Sequence, residues 1–152
     1  MRRLANGKPA VFVLGNHEFW GREVARERRV AWRAVERHSV VLLDDGAADV
    51  AGLRFVGGTM WADGALAGDE AAPDLPTGEL IRVGSSERPI IGADEALLYR
   101  QTLRLLRKVI AEDGPPLVVA THHAPHPLCL PASHRFGRVA GNAASDPLGA
   151  DG

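Results

Sequence analysis

Residues 10–18 read AVFVLGNHE, a continuous apolar run that ends at a glycine, an asparagine and a histidine. Short apolar runs closed by a turn are typical of strands buried on both faces of a sheet, so we predict such a strand over residues 10–14. A second run, residues 117–120, leads directly into Thr121, His122 and His123. Because ligands of open α/β sheets gather beyond the carboxyl ends of strands, the two runs predict one polar site.

The segments between these two strand ends predict an α/β fold. Apolar residues at helical spacing, with no proline or glycine, favour a helix over residues 22–37. A second helix is expected over residues 94–112, with an apolar face formed by Leu97, Leu98, Leu105, Leu106 and Val109. Further strands are expected over residues 40–43 and 53–60. Residues 61–92 are rich in Gly, Pro, Asp and Glu, and we interpret them as an irregular insertion or lid.

Composition limits the class of protein. With 152 residues and a net charge of −1, the chain suits a single domain and carries no overall field for nucleic acid or an anionic membrane. The arginines of residues 22–37 alternate with glutamates, which favours a solvated helix face over a polyanion site. The single cysteine, Cys129, excludes an intrachain disulfide and is expected to pack between Leu128 and Leu130. No signal peptide or membrane span is recognisable, so a cytoplasmic location is predicted.

The residues at the first strand end have useful chemistry. The carbonyl oxygen of Asn16 is a neutral ligand suited to Mn, Fe or Zn, and Gly15 is expected to permit a sharp, strained turn. Histidine side chains as a class can gain and lose a proton near neutral pH, so His17 is a candidate to protonate a leaving alkoxide. The alternative is an Asx-turn with a surface imidazole.

The histidine pair at the second strand end is expected to diverge. Neighbouring side chains on a strand point to opposite sides, so we predict that His122 and His123 have different partners, one a metal ion and the other a substrate or supporting group. The alternative is a pair of polar residues satisfied at a strand end. His126 and His134 are interpreted as structural or surface residues.

VFVLGNHE and VVATHHAP, each closing an apolar run, resemble two motifs of the calcineurin-like metallophosphoesterases. GLRFVGGTMWAD (residues 52–63) and ASDPL (residues 144–148) are similar to segments of that family's small bacterial members. The resemblance extends from Pro9 to about Leu148. It implies an incomplete metallophosphatase-like βαβ sandwich with α/β/β/α layers, in which residues 1–152 form a single partial domain.

The resemblance also implies functional roles. Asn16 and His122 would be ligands of one of two divalent metal ions (Mn, Fe or Zn), and His17 would stabilise the transition state or protonate the leaving group. His123 would lie near the substrate. A water held by both ions would attack phosphorus in a phosphate mono- or diester. Substrates would be phosphorylated small molecules, nucleotides or phosphoproteins.

The chain departs from the family at both ends. The family's Asp-x-His and Gly-Asp-x-x-Asp motifs do not occur before Asn16, and its Gly-His-x-His motif does not occur after His122. We therefore expect this chain alone to be inactive, to bind metal weakly and to have exposed sheet edges. One alternative is a non-catalytic remnant of the fold that binds a partner. A weaker one is a zinc module of His122, His123, His126 and His134.

Overall fold

The computed structural model describes residues 8–38, 40–63 and 80–130 and shows a mixed α/β fold. Its two helices are Val24–Glu36 (α1) and Gly92–Ile110 (α2). Two short 3₁₀ turns lie at Asn16–Phe19 and Pro127–Cys129. The strands are Ala10–Val13 (β1), Val40–Leu43 (β2), Gly46–Val50 (β3), Leu53–Gly58 (β4), Arg82–Val83 (β5), Arg88–Pro89 (β6) and Leu117–Thr121 (β7).

The strands form separate sheets. β1 pairs with β2 in parallel, and α1 provides the crossover that parallel neighbours require. A second sheet has the order β3–β4–β7, with β4 parallel to β7 and α2 between them in the chain. β3 and β4 form an antiparallel hairpin, whose turn residues Ala51 and Gly52 both have positive φ (51° and 81°), as in a type I′ turn. The strands that precede the two predicted polar clusters, β1 and β7, therefore belong to different sheets.

Glu23 caps the amino-terminal end of helix α1. The Glu23 carboxylate accepts hydrogen bonds from the backbone N–H groups of Ala25 (3.0 Å) and Arg26 (2.7 Å), which caps the helix. Val24 is buried, whereas Trp32 is 45% exposed and donates its indole N–H to Asp44 at 3.1 Å. The helix predicted for residues 22–37 is confirmed with slightly shorter bounds.

Helix α2 is also confirmed, but one predicted core residue is wrong. Leu106 is fully buried, whereas Leu97 is 48% exposed. Leu97 lies nine residues before Leu106, about two and a half turns of roughly 3.6 residues, so it points to the opposite side of the helix. The buried positions that the sequence interpretation missed are Tyr99, Thr102 and Leu103.

The two helices pack against strands of different sheets, and the two sheets contact each other. α1 contacts β2, β2 contacts both β3 and β4, and α2 contacts β4. The buried side chains that fill the space between these elements include Phe19, Leu42, Val56, Met60, Trp61 and Leu106. The fold therefore has helices against strands of each sheet and a shared apolar core.

Strand β1 is more exposed than predicted. Phe12 is 36% exposed and the other strand residues are half-buried, so the expectation of a strand covered on both faces is wrong. Within the described segments, β1 has one strand neighbour, β2, and β7 has one, β4. The outer edges of both sheets are thus open in the part of the chain that the structure describes, and exposed sheet edges were expected.

The segment predicted as an irregular insertion contains regular structure. β5 and β6 form a small antiparallel hairpin, flanked by the buried side chains of Ile81 and Ile90. The Ile90 N–H donates to the Ile81 carbonyl at 3.0 Å. Residues 64–79 lie outside the described part of the chain. Neither of the described helices combines the length and apolarity needed to cross a lipid bilayer.

A polar network connects both helices to the β2–β3 turn. Arg28 on α1 contacts Asp44 (2.9 Å) and Asp45 (2.6 Å), and Thr102 on α2 donates its hydroxyl to Asp45 at 2.5 Å. Burial raises the pKa of Asp44, and Arg28 partly offsets that rise. Asp45 itself has positive φ (49°), which is uncommon for a residue with a side chain and makes the chain reverse sharply between the sheets.

Candidate functional site

The structure brings the ends of β1 and β7 together. The Nε2 atom of His122 lies 3.0 Å from the Oδ1 atom of Asn16, although the two residues are 106 positions apart. Asn16 begins the 3₁₀ turn after β1, and His122 follows β7 directly. Two of the four predicted site residues are therefore in direct contact.

The His122–His123 segment is held by backbone hydrogen bonds beyond the end of its strand. The His122 N–H donates to the Gly58 carbonyl (3.3 Å), and the His123 N–H donates to the Thr59 carbonyl (3.1 Å). These bonds continue the parallel pairing of β4 and β7 by two residues. The sheet therefore fixes the position of the His122 backbone, which a flexible loop would not do.

Gly15 is needed for a reason that differs from the predicted one. Its backbone is extended (φ −95°, ψ 174°), so the expected strained turn is wrong. A Cβ atom at this position would lie only 2.6 Å from Cε1 and 2.7 Å from Nδ1 of His122. The imidazole of His122 thus occupies the space of the missing side chain, and this close approach lets the ring reach Asn16.

The Asn16–His122 pair has the right chemistry for part of a metal site. Oxygen and imidazole ligands lie roughly 2.1 Å from ions such as Zn²⁺ and Mn²⁺, so two of them are about 3.4 Å apart at the tetrahedral angle that Zn²⁺ favours and about 3 Å apart at the right angle of an octahedral Mn²⁺ site. The observed 3.0 Å is compatible with a shared ion and equally with a hydrogen bond in its absence. Among the described residues, no group of three or more His, Cys, Asp or Glu side chains is arranged to hold a metal ion. The pair therefore fits as a fraction of a ligand set.

His17 faces another partner. Its imidazole packs on the indole of Trp20, with ring centroids 3.9 Å apart and planes inclined by 38°. The 3₁₀ turn that carries both residues is closed at its start by Glu18, whose carboxylate accepts the Gly15 N–H at 2.6 Å. His17 is exposed, so a solvent-borne ligand can reach its ring.

His123 lies beside the loop that follows β4. Its Nδ1 atom is 3.1 Å from the carbonyl oxygen of Met60. Because a carbonyl only accepts, this contact requires a proton on Nδ1, and the neutral ring then has its lone pair on Nε2. The ring also meets Trp61 edge-on at 6.3 Å and lies 4.8 Å from the ring of His122. The two histidines have different partners, as expected, but the expectation that they point to opposite sides is wrong, because both residues follow β7, which ends at Thr121, and their rings lie side by side.

The remaining candidate residues are peripheral. The Nδ1 atom of His126 accepts the Leu128 N–H at 2.9 Å, which is the structural role predicted for it. Cys129 is exposed in its 3₁₀ turn, so the prediction that it packs is wrong. Its neighbour Leu128 is 68% exposed, because the turn directs these side chains outward. His134 lies outside the described residues.

Two residues near the site were not recognised from the sequence. Met60 is fully buried with positive φ (52°), an uncommon conformation that presents its carbonyl to His123. Trp20 was missed although its spacing of three from His17 is a usable signal, because residues three apart share a side of a 3₁₀ turn.

Comparisons with known proteins add no assignment. No family model matches the chain, and neither a curated protein nor a solved structure is significantly similar to it. The resemblance to the metallophosphoesterases therefore depends on the motifs and on the geometry of the residues described above.

Proposed function

We propose that this chain carries part of the metal site of a dinuclear metallophosphoesterase. The single observation that supports this function best is the 3.0 Å contact between Asn16 Oδ1 and His122 Nε2. The resemblance assigns both residues to the same metal ion, and they were selected from two distant motifs. Their contact across 106 positions is what a shared metal ion would require of them.

The arrangement of the elements supports the proposal that the fold is an incomplete α/β/β/α sandwich. The contacts run from α1 to β2, from β2 to β3 and β4, and from β4 to α2. That succession is the one expected of an incomplete α/β/β/α sandwich. The ends of β1 and β7 then meet at one rim of the two sheets, where a site shared by both can form.

In the proposed reaction, two divalent ions would supply an activated water and neutralise charge on the phosphoryl oxygens. Asn16 and His122 would hold one ion between them. His17 would donate a proton to the leaving oxygen, since its imidazole is exposed beside Asn16 and imidazole is a common general acid. His123, with Nδ1 bound to the Met60 carbonyl, would present Nε2 to the substrate. Carboxylate ligands would come from outside the described residues.

A metal-binding and turnover comparison tests the proposal. Zn²⁺ or Mn²⁺ affinity is measured by equilibrium dialysis on this chain. The same measurement is made on any longer protein expressed from the same gene, here called the whole-frame product. Turnover of p-nitrophenyl phosphate and its bis ester is followed in parallel. We expect His122→Ala to lower metal affinity by about 10- to 100-fold. His17→Ala should retain metal but lower turnover by roughly 10²- to 10⁴-fold.

His38→Ala is the matched control, because His38 is an exposed histidine at the end of α1. It should change neither quantity. Metal affinity that is the same in His122→Ala and the unsubstituted protein would contradict the assignment of His122. Turnover that is absent even from the whole-frame product, with metal bound, would favour the non-catalytic binding module.

A further inference from the structure

An exposed tryptophan stands directly beside the proposed proton donor. Trp20 ends the 3₁₀ turn Asn16–Phe19, and its N–H donates to the His17 carbonyl at 3.2 Å. Its indole packs on the His17 ring, yet the residue is 45% exposed. The preceding residue, Phe19, is completely buried and supplies the turn's contact with the core. Phe19 therefore anchors the turn in the core, while the neighbouring Trp20 ring is half-exposed beside His17.

The surroundings of Trp20 extend this apolar surface. The Gly21 N–H donates to the carbonyl of Leu80 at 2.5 Å, and this places Leu80 beside the end of the turn. Leu80 is 71% exposed. Large apolar groups exposed next to a polar site are typical of surfaces that contact a ligand.

We propose that Trp20 is a specificity-determining residue that favours phosphate esters with an aromatic leaving group. This inference depends on the proposed function, because His17 must meet the leaving group. When water attacks phosphorus and the ester P–O bond breaks, the electron pair stays on the leaving oxygen, which takes the His17 proton. A leaving group within hydrogen-bonding distance of His17 is next to the indole, whose centroid is 3.9 Å from the imidazole. An aromatic leaving group can stack on the Trp20 indole, whereas an aliphatic leaving group cannot.

The test uses non-hydrolysable ligands, so that it does not require turnover. Phenylphosphonate and cyclohexylphosphonate have similar size but differ in flatness, and they carry equal charge when the titration is made at a pH at which both are dianions. Their affinities for the Zn²⁺-loaded protein are measured by titration calorimetry. Because aromatic pairs contribute about 0.5–1.5 kcal/mol beyond buried area, we expect the phenyl compound to bind roughly fivefold more tightly.

Variants show whether the Trp20 indole causes the preference for phenylphosphonate. Trp20→Ala should abolish the preference, and Trp20→Phe should retain most of it. Trp32→Ala is the matched control, because Trp32 is equally exposed but lies on α1. The preference should be unchanged in that variant. Thermal melts check that each variant folds.

The outcomes distinguish this inference from the proposed function. Equal binding of the two phosphonates, or a preference that survives Trp20→Ala, would overturn the inference and leave the phosphoesterase proposal standing. Failure of the unsubstituted protein to bind either phosphonate while equilibrium dialysis shows Zn²⁺ bound would overturn both. A second comparison, of the methylene phosphonate analogues of adenosine monophosphate and ribose 5-phosphate, shows whether the aromatic group is a nucleobase. A preference for the nucleotide analogue that Trp20→Ala removes would assign nucleotides as substrates.

Discussion

Gly15 shows how one missing side chain can determine a site. The His122 ring lies where the Cβ atom of any other residue would be, at 2.6 Å from the ideal Cβ position. A contact closer than about 3 Å must be relieved, and the clashing atoms are the end of the exposed His122 side chain. Another residue at this position would therefore displace the imidazole and leave the backbone in place.

We predict that Gly15→Ala separates His122 from Asn16. Metal affinity should fall by at least about tenfold, whereas the free energy of unfolding should change by less than about 1 kcal/mol, because the exposed His122 ring can rotate away from the new side chain. Gly46→Ala is the control, because a Cβ there meets a single backbone oxygen at 4.0 Å. Calorimetric Zn²⁺ titration and urea unfolding measure both effects. Unchanged affinity in Gly15→Ala would show that the ring position does not matter for metal binding.

The motif around Gly15 could be recognised from the sequence, but its physical reason could not. The prediction of a strained turn used only local residues, and the backbone is in fact extended. The actual constraint comes from His122, which no local pattern connects to Gly15. In the same way, the partners of His17 and His123 depend on Trp20 and on the Met60 carbonyl, which tertiary structure places.

The start of α2 depends on one carboxylate. Asp94 accepts the Ile91 N–H at 3.0 Å and receives two hydrogen bonds from Arg88, at 2.7 and 2.8 Å. The hydrogen bonds from Arg88 and from the Ile91 N–H, in that order, hold the pKa of Asp94 below its ordinary value of 3.8. The pKa of Asp94 is therefore lower in the folded protein than in the unfolded chain. The ionised carboxylate stabilises the folded protein fully at pH values above the unfolded pKa. This stabilisation is lost as the pH falls through the folded pKa.

We predict that Asp94→Asn lowers the free energy of unfolding by about 1 kcal/mol at pH 7, as loss of a helix cap does. The difference from the unsubstituted protein should shrink as pH falls below 3.8. Urea unfolding across the range pH 3–7 measures it. Asp49→Asn is the comparison, because Asp49 pairs with Arg54 at the surface and should have a smaller effect. A difference independent of pH would exclude the charge as its origin.

The long helices could be predicted because helical periodicity extends over many residues. The apolar strands β1, β2, β4 and β7 could be predicted from their continuous apolar runs, whereas β3, β5 and β6 could not. Strand β3 reads GAADV, and glycine, alanine and aspartate are poor strand formers, so only its pairing with β4 establishes it. The hairpin of β5 and β6 has strands of two residues, one of which contains a proline. Such elements depend on neighbours more than on their own composition.

At the scale of the whole molecule, the Arg28–Asp45–Thr102 contacts connect α1, the β2–β3 turn and α2. Thr102 is completely buried, and its hydroxyl donates to Asp45 at 2.5 Å. Thr59 is equally buried, but its hydroxyl has no hydrogen-bond partner among the described residues. The two threonines therefore allow a comparison of a buried hydroxyl that has a hydrogen-bond partner with a buried hydroxyl that has none in the described part of the chain.

We predict that Thr102→Val lowers the free energy of unfolding by about 1–2 kcal/mol, since it removes a hydrogen bond to a half-buried carboxylate. Thr59→Val should have almost no effect or stabilise slightly, because it replaces an unpartnered hydroxyl with a methyl group. Urea unfolding of both variants at pH 7 makes the comparison. Equal losses would mean that packing, not the Asp45 contact, determines the cost at both sites.

The distance in sequence between Asn16 and His122 has a consequence for folding. Local contacts, such as those within α1 or α2, form early, whereas a contact across 106 positions closes a long loop and depends on parallel pairing, which is intrinsically slow. The site therefore does not exist in partly folded states, even those with both helices formed. Acquisition of metal affinity during refolding should coincide with the last structural phase, so a metal-sensitive probe would report completion of folding.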